Sequence, residues 1–112
     1  MGNVLIFARE EVVAALLGLM VEVSGFQPRF VGDDESVEDA ISNKRPEAVL
    51  IDCDHPEFSD DLIELIRRSG ARPILFSPFR NQPEVTRLAA RHGTQAFTLP
   101  TEPQAFAEIL NG

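Results

Sequence analysis

Two carboxylates and one hydroxyl stand directly after apolar runs of the sequence. Asp52 and Asp54 follow residues 49–51 (VLI), and Ser77 follows residues 74–76 (ILF). If both runs are strands of a parallel sheet, their carboxyl ends lie at the edge where ligands and reactive groups collect. A carboxylate at the end of a buried strand needs a polar partner. Asp52 is either a reactive acid or a structural loop acid, and Ser77 is either a ligand group or a hydroxyl bound to backbone.

An earlier apolar run, residues 4–7 (VLIF), is followed by a cation and acids that would lie at the same edge. Arg9 could hold Asp52 through charge-assisted hydrogen bonds of its guanidinium group, or it could lie in solvent. Glu10 could reach the pocket if the loop shifts, although acids here also suit the first turn of a helix. We predict a pocket around Asp52 formed by Arg9, Glu10, Asp54, Ser77 and Leu99.

Five aliphatic or β-branched runs alternate with five helical patterns. This alternation is typical of βαβ units that build a parallel sheet covered by helices on both faces. We place the strands at residues 3–8, 27–31, 47–52, 72–76 and 95–98. Pro28 cannot donate a hydrogen bond within a sheet, which favours an edge position for the second strand. The prediction is one α/β domain over residues 1–112, a three-layer (βα)5 sandwich with strand order 2-1-3-4-5.

Capping residues mark where the helices begin and end. Side-chain oxygens accept hydrogen bonds from first-turn N–H groups, and glycine ends a helix by adopting a positive φ. The predicted N-caps are Asp33 or Asp34 for the second helix, Ser59 for the third, and a capping box at residues 101–104 for the fifth. The predicted stops are Gly25, Gly70 and Gly93.

The first helix carries more apolar side chains than one sheet face needs. They cover well over a third of its circumference and comprise Val12, Val13, Leu16, Leu17, Leu19, Met20, Val21 and Val23. The excess is either buried between the sheet and the fifth helix, or it forms a dimer or partner surface.

Three motifs in this order resemble the receiver domains of two-component response regulators, the CheY-like proteins. Residues 46–56 (PEAVLIDCDHP) resemble the stretch that ends in a phosphoacceptor aspartate followed four residues later by proline. Residues 73–77 (PILFS) resemble the fourth strand with its terminal Ser or Thr, and residues 97–100 (FTLP) resemble the fifth strand before Lys-Pro. The resemblance covers essentially the whole chain and implies a flavodoxin/CheY-like fold.

The resemblance also implies a chemistry that this chain retains only in part. Receivers accept a phosphoryl group from a histidine kinase on the aspartate, with a divalent cation held by that aspartate, an acidic pair and a backbone carbonyl. Asp52 occupies the phosphoacceptor position, but the acidic pair aligns with Ala8 and Arg9 and the phosphate-binding lysine aligns with Leu99. The predicted function is a non-enzymatic protein-interaction module with impaired or absent Mg²⁺-dependent phosphorylation.

The alternative is a working phosphoreceiver that is phosphorylated at Asp52 and uses Mg²⁺. In that case the weak candidates for metal ligands are Asp52, Glu10 and Asp54. If the chain is not a phosphoreceiver, we expect neither metal nor cofactor. The aromatic switch residue of receivers is ambiguous, because counting from Gly93 selects Phe97 whereas counting back from Pro100 selects Ala96.

Charge narrows the range of partners. The net charge of −8 opposes direct binding to nucleic acid or to anionic membranes. Residues 1–64 carry four basic against fifteen acidic groups, a net −11, whereas residues 65–112 carry six against three, a net +3. Arg80, Arg87 and Arg91 are either a surface for an acidic partner or a solvated helix face. The expected partner is another signalling protein, a histidine kinase or an output domain, with a homodimer as a further possibility.

Other classes of function fit poorly. Cys53 is the single cysteine, which excludes an intramolecular disulfide and indicates a small buried side chain in a reducing cytoplasm. The apolar run at residues 12–21 is too short to span a membrane. A nucleotide or flavin site is disfavoured because residues 9–11 (REE) lack a glycine-rich phosphate cradle. His55 and His92 form no recognisable nucleophile–base arrangement.

Overall fold

The computed structural model describes residues 2–112 and contains one sheet covered by helices on both faces. The strands are β1 (Asn3–Phe7), β2 (Gln27–Phe30), β3 (Ala48–Asp52), β4 (Arg72–Ser77) and β5 (Gln95–Thr98). The helices are α1 (Glu11–Val23), α2 (Val37–Lys44), α3 (Asp60–Arg68), α4 (Gln82–His92) and α5 (Pro103–Asn111). All strand pairs are parallel and the order is β2-β1-β3-β4-β5, which confirms the predicted topology.

The central strands are apolar on both sides because both sides are covered. Every residue of β3 is buried, and β4 is buried from Pro73 to Ser77. On one face, the core contains side chains of α2, α3 and α4, among them Ile41, Ile63 and Ala89. On the other face, it contains side chains of α1 and α5, among them Leu17 and Phe106. β3 is the middle strand, between β1 and β4, and the carboxyl ends of these parallel strands lie at one edge of the sheet.

The edge strand and the helix stops follow the prediction. β2 pairs with β1 alone, and Pro28 lies opposite Val4 in that pair. The missing N–H of Pro28 therefore costs no hydrogen bond to a further strand. Gly25, Gly70 and Gly93 all have positive φ at or just after a helix end. The structure adds a stop that composition does not signal, since Arg45 ends α2 with φ 47°.

Two predicted N-caps are wrong. Ser36, rather than Asp33 or Asp34, caps α2 by accepting the N–H of Asp39. The expected capping box at residues 101–104 does not form, because α5 starts at Pro103 after Glu102, whose side chain makes no capping hydrogen bond. Ser59 caps α3 as predicted by accepting the N–H of Leu62. Proline at the first position already fixes φ and lacks an N–H that needs a cap.

Candidate functional site

Asp52 ends β3 as a buried carboxylate bound by two backbone N–H groups. Asp52 is only 1% exposed to solvent. Asp52 Oδ2 accepts the N–H of Arg9 at 3.0 Å, and Asp52 Oδ1 accepts the N–H of Asp54 at 2.8 Å. Asp52 thereby joins the loop after β1 to the loop after its own strand. Such charge-assisted hydrogen bonds are stronger than those between neutral groups.

Beside Asp52, three polar side chains form a closed cluster of Asp54, Ser77 and Arg80. The Ser77 hydroxyl donates to Asp54 Oδ2 at 2.7 Å, and Arg80 Nε donates to Asp54 Oδ1 at 2.9 Å. Ser77 Oγ also accepts the N–H groups of Phe79 and Arg80 at 3.2 and 2.9 Å. The cluster ties the loop after β3 to the loop after β4 and uses the hydroxyl as both donor and acceptor.

The ionisation of the cluster follows from these contacts. Burial works against the charged form of Asp54, but hydrogen bonds from Ser77 and Arg80 and the charge of Arg80 outweigh it, so the pKa of Asp54 lies below its ordinary value. The hydrogen bond to Asp54 raises the pKa of Arg80. Burial raises the pKa of Cys53 to about 11, and its side chain lies in the apolar core as predicted. The site thus holds an ion pair and an inert thiol.

The pH dependence of stability should report the Asp54 cluster. A carboxylate whose pKa is lowered by folding stabilises the native state above its ordinary pKa of 3.8 and loses that contribution as the pH falls through the lowered value. We expect Asp54→Asn to lose stability less steeply than the parent below about pH 4. Urea unfolding at a series of pH values measures this. Glu108→Gln, at an exposed position of α5, is the matched control and should follow the parent.

Arg9 and Glu10 lie outside the pocket predicted around Asp52. Arg9 is exposed, as the second of its two alternatives had it, and it reaches Asp52 through its backbone N–H rather than through its guanidinium group. The cation that does pair with an acid of the site is Arg80, which the sequence had grouped only with the outer arginines of α4. Glu10 is an exposed residue that precedes α1 without a side-chain capping bond. Within the described residues, neither the Arg9 nor the Glu10 side chain forms a hydrogen bond or an ion pair with Asp52.

Leu99 and Phe97 belong to the apolar core near β5. Leu99 is half-buried and packs against the cluster beneath α1 and α5, before a cis peptide bond to Pro100. Phe97 is buried between Phe76, stacked at a centroid distance of 5.5 Å, and Phe106, edge-on at 5.2 Å. Ala96 is half-buried and packs on the opposite face of the sheet. Phe97 is thus a core residue, and the position under α4 is occupied by a methyl group.

One cleft is lined by the three arginines that the sequence analysis selected. Arg80, Arg87 and Arg91 surround it together with Glu84 and Leu88, and its volume is about 290 Å³. Arg87 and Arg91 are exposed, one turn apart on α4. Because Arg80 is engaged with Asp54, Arg87 and Arg91 present the accessible positive charge of this surface.

A larger cavity of about 520 Å³ lies beside the site, at the carboxyl ends of β1 and β2. Its lining includes Arg9, Glu11, Asp33 and His55, and it does not include Asp52, Asp54 or Ser77. His55 stacks on Phe7 at a centroid distance of 4.0 Å and accepts the N–H of Glu57 on Nδ1. Sequence reasoning missed this stacking, which only the proximity of the two loops produces.

Comparison with solved structures identifies the fold. The structure matches a response regulator from Thermotoga maritima with a TM-score of 0.78 at 14% identity, over 99% of this chain and 95% of that chain. It matches the signal receiver domain of a modulated diguanylate cyclase from Desulfovibrio desulfuricans with a TM-score of 0.78 at 17% identity, over 99% and 91%. A Burkholderia pseudomallei protein described as pilus assembly-related gives 0.72 at 19%, over 99% and 87%.

The chain has the fold of CheY-like receiver domains. The sequence itself matches no protein-family model and no curated protein sequence. Sequence identities of this size show the fold alone, so the chemistry of this chain is inferred from its own residues. Within residues 2–112, no helix is both long and apolar enough to cross a membrane.

Proposed function

We propose that this chain is a receiver-like signalling module that acts through protein–protein interaction, with impaired or absent Mg²⁺-dependent phosphorylation at Asp52. The observation that carries the proposal is that the Asp52 carboxylate and the Ser77 hydroxyl, the two groups such a reaction would use, already have hydrogen-bond partners. Both oxygens of Asp52 accept backbone N–H groups in a position only 1% exposed. The Ser77 hydroxyl is committed to Asp54.

The donor set at this edge does not fit a magnesium ion. Mg²⁺ in proteins is held by one or two carboxylates together with phosphate and water oxygens in a near-octahedral arrangement. Ala8 and Arg9 stand where receivers carry the acidic pair, and Asp54 is paired with Arg80. Within residues 2–112, no three His, Cys, Asp or Glu side chains are grouped to hold a metal. These features support a module without a metal cofactor.

The retained aspartate favours a second candidate, a working phosphoacceptor. Asp52 ends β3 at the position where the resemblance places the phosphorylated residue, and Ser77 lies at the end of the neighbouring strand. In this candidate the backbone hydrogen bonds to Asp52 would have to yield to an incoming phosphoryl group and a cation.

Phosphorylation itself separates the two candidates. The parent chain and Asp52→Asn are incubated with acetyl phosphate and Mg²⁺, with a conventional receiver domain as the positive control, and intact masses are measured. The proposal predicts no added phosphoryl group on the parent under conditions that fully label the control. Stoichiometric labelling of the parent that disappears in Asp52→Asn would establish the phosphoacceptor instead.

The proposed partner is another signalling protein, a histidine kinase or an output domain, in the cytoplasm. Receiver folds occur in a response regulator, in a diguanylate cyclase and in a pilus assembly-related protein among the matched structures, so one scaffold serves several outputs. In this chain, the cleft beside Arg87 and Arg91 is the proposed contact for an acidic partner.

Charge reversal tests that surface once a partner has been isolated. We expect Arg87→Glu with Arg91→Glu to weaken capture of an acidic partner about tenfold or more at low salt and to reduce its salt dependence, because rim charges mainly steer association. The melting temperature should stay nearly unchanged, since both side chains are exposed. Arg68→Glu, on α3, is the control. Equal binding by the double variant and the parent would exclude the cleft as the contact.

A further inference from the structure

The outward face of α1 is an apolar stripe of four side chains. Val12, Leu16, Leu19 and Val23 are 81, 48, 63 and 78% exposed, so the core between the sheet and α5 does not cover them. The charged residues of α1 are Glu11 and Glu22 alone. Exposed aliphatic side chains of this number on one helix face indicate a surface that a partner covers.

The spacing and order of the stripe are symmetric. Successive members are four, three and four residues apart, an average of about 3.7 residues that is close to the repeat of a straight α-helix, so all four lie on one face. The order Val, Leu, Leu, Val also reads the same in both directions. In an antiparallel pair about a two-fold axis through its middle, each member of the stripe therefore lies level with a member of the other copy, and two-fold pairs are the commonest homodimers.

We propose that the α1 stripe binds a second copy of this chain, with the two α1 helices antiparallel. Val12 of one copy then lies opposite Val23 of the other, and Leu16 lies opposite Leu19. The antiparallel arrangement places Glu22 level with Val13 of the other copy rather than against a second Glu22, and it opposes the two helix dipoles favourably. This inference concerns a different surface from the proposed function and does not depend on it.

The area available suits a weak dimer. The four side chains of the stripe offer roughly 400 Å² of apolar surface, within the range of the largest patches that monomers expose. Two such surfaces bury about 800 Å², the size of a weak or transient interface. Each copy also carries a net charge of −8, so added salt should strengthen the dimer by screening the repulsion.

Sedimentation equilibrium on the 12.4 kDa chain tests the association. We expect a dimer with a dissociation constant roughly between 10 and 100 µM that tightens with salt. Leu16→Glu with Leu19→Glu should weaken it by at least about tenfold. Gln104→Glu with Ala105→Glu adds the same charge at exposed positions of α5 and should not. A parent that stays monomeric up to about 1 mM, or a dimer that tolerates the α1 variant, overturns the proposal.

Disulfide trapping tests the orientation and provides a second variant should the glutamates prevent folding. Val12→Cys and Val23→Cys replace the two most exposed members of the stripe, and the native Cys53 is buried. Mixing the two variants under oxidising conditions should give a cross-linked heterodimer, whereas each variant alone should cross-link far less. Cross-linking that is strongest within each single variant, or absent from the mixture, contradicts the antiparallel pair.

Discussion

Replacing Asp52 by alanine is expected to lower the free energy of unfolding by about 2–3 kcal/mol, or the melting temperature by about 10 °C. The substitution removes the acceptor of two hydrogen bonds to a charged group and leaves the N–H groups of Arg9 and Asp54 without their partner. Relief of burying a carboxylate offsets part of this cost. Denaturant unfolding at neutral pH measures the change.

Arg9→Ala is the matched control for that variant. It keeps the backbone N–H that binds Asp52 and removes an exposed side chain, so we expect a change within about 0.5 kcal/mol. A double-mutant cycle between the two positions should give almost no coupling energy. Coupling above about 1 kcal/mol would mean that the guanidinium group of Arg9, rather than its backbone, is the partner of Asp52.

Replacing Phe97 by alanine is expected to have the larger effect, a loss of about 3–5 kcal/mol. The ring is buried and contacts Phe76 and Phe106, so the substitution leaves a cavity in the middle of the face covered by α1 and α5. A loss of this size is a large share of the stability of an ordinary domain. Thermal and denaturant unfolding provide the measurement.

Phe79→Ala removes the same ring at a site that is 67% exposed and should change the free energy of unfolding by about 0.5 kcal/mol or less. The comparison also tests whether Phe97 can act as the aromatic switch residue of a receiver. A ring held between two others is poorly suited to rotate between core and surface, as a switch residue must. Near-equal effects of the two substitutions would show that Phe97 is not held in the core.

The sequence predicted which strands are central and which is an edge strand, because apolar pattern and proline placement depend on burial. The runs at residues 4–7 and 49–51 lie in buried inner strands, and Pro28 lies in the edge strand, as the pattern predicts. Helix caps were less readable, because Asp33, Asp34 and Ser36 all have suitable side chains. Only the path of the chain selects Ser36.

The sequence predicted where the candidate site lies but only some of the contacts within it. Strand ends brought Asp52, Asp54 and Ser77 to one edge because parallel strands end together. The pairing of Asp54 with Arg80 depends on the fold of the loop at residues 78–81, which no periodicity describes. Likewise, spacing does not distinguish a backbone donor from a side-chain donor at Arg9.

We propose above all that this receiver fold presents Asp52 in a form unsuited to Mg²⁺ and phosphoryl chemistry. The chain has no Trp or Tyr for a fluorescence titration, so backbone amide NMR during titration with Mg²⁺, alone and with beryllium fluoride, tests it most directly. The predicted result is no saturable shift of the amides around Asp52 and Ser77 at concentrations up to about 10 mM. Saturable shifts there at about 1 mM or below would contradict the claim and restore Asp52 as a phosphoacceptor.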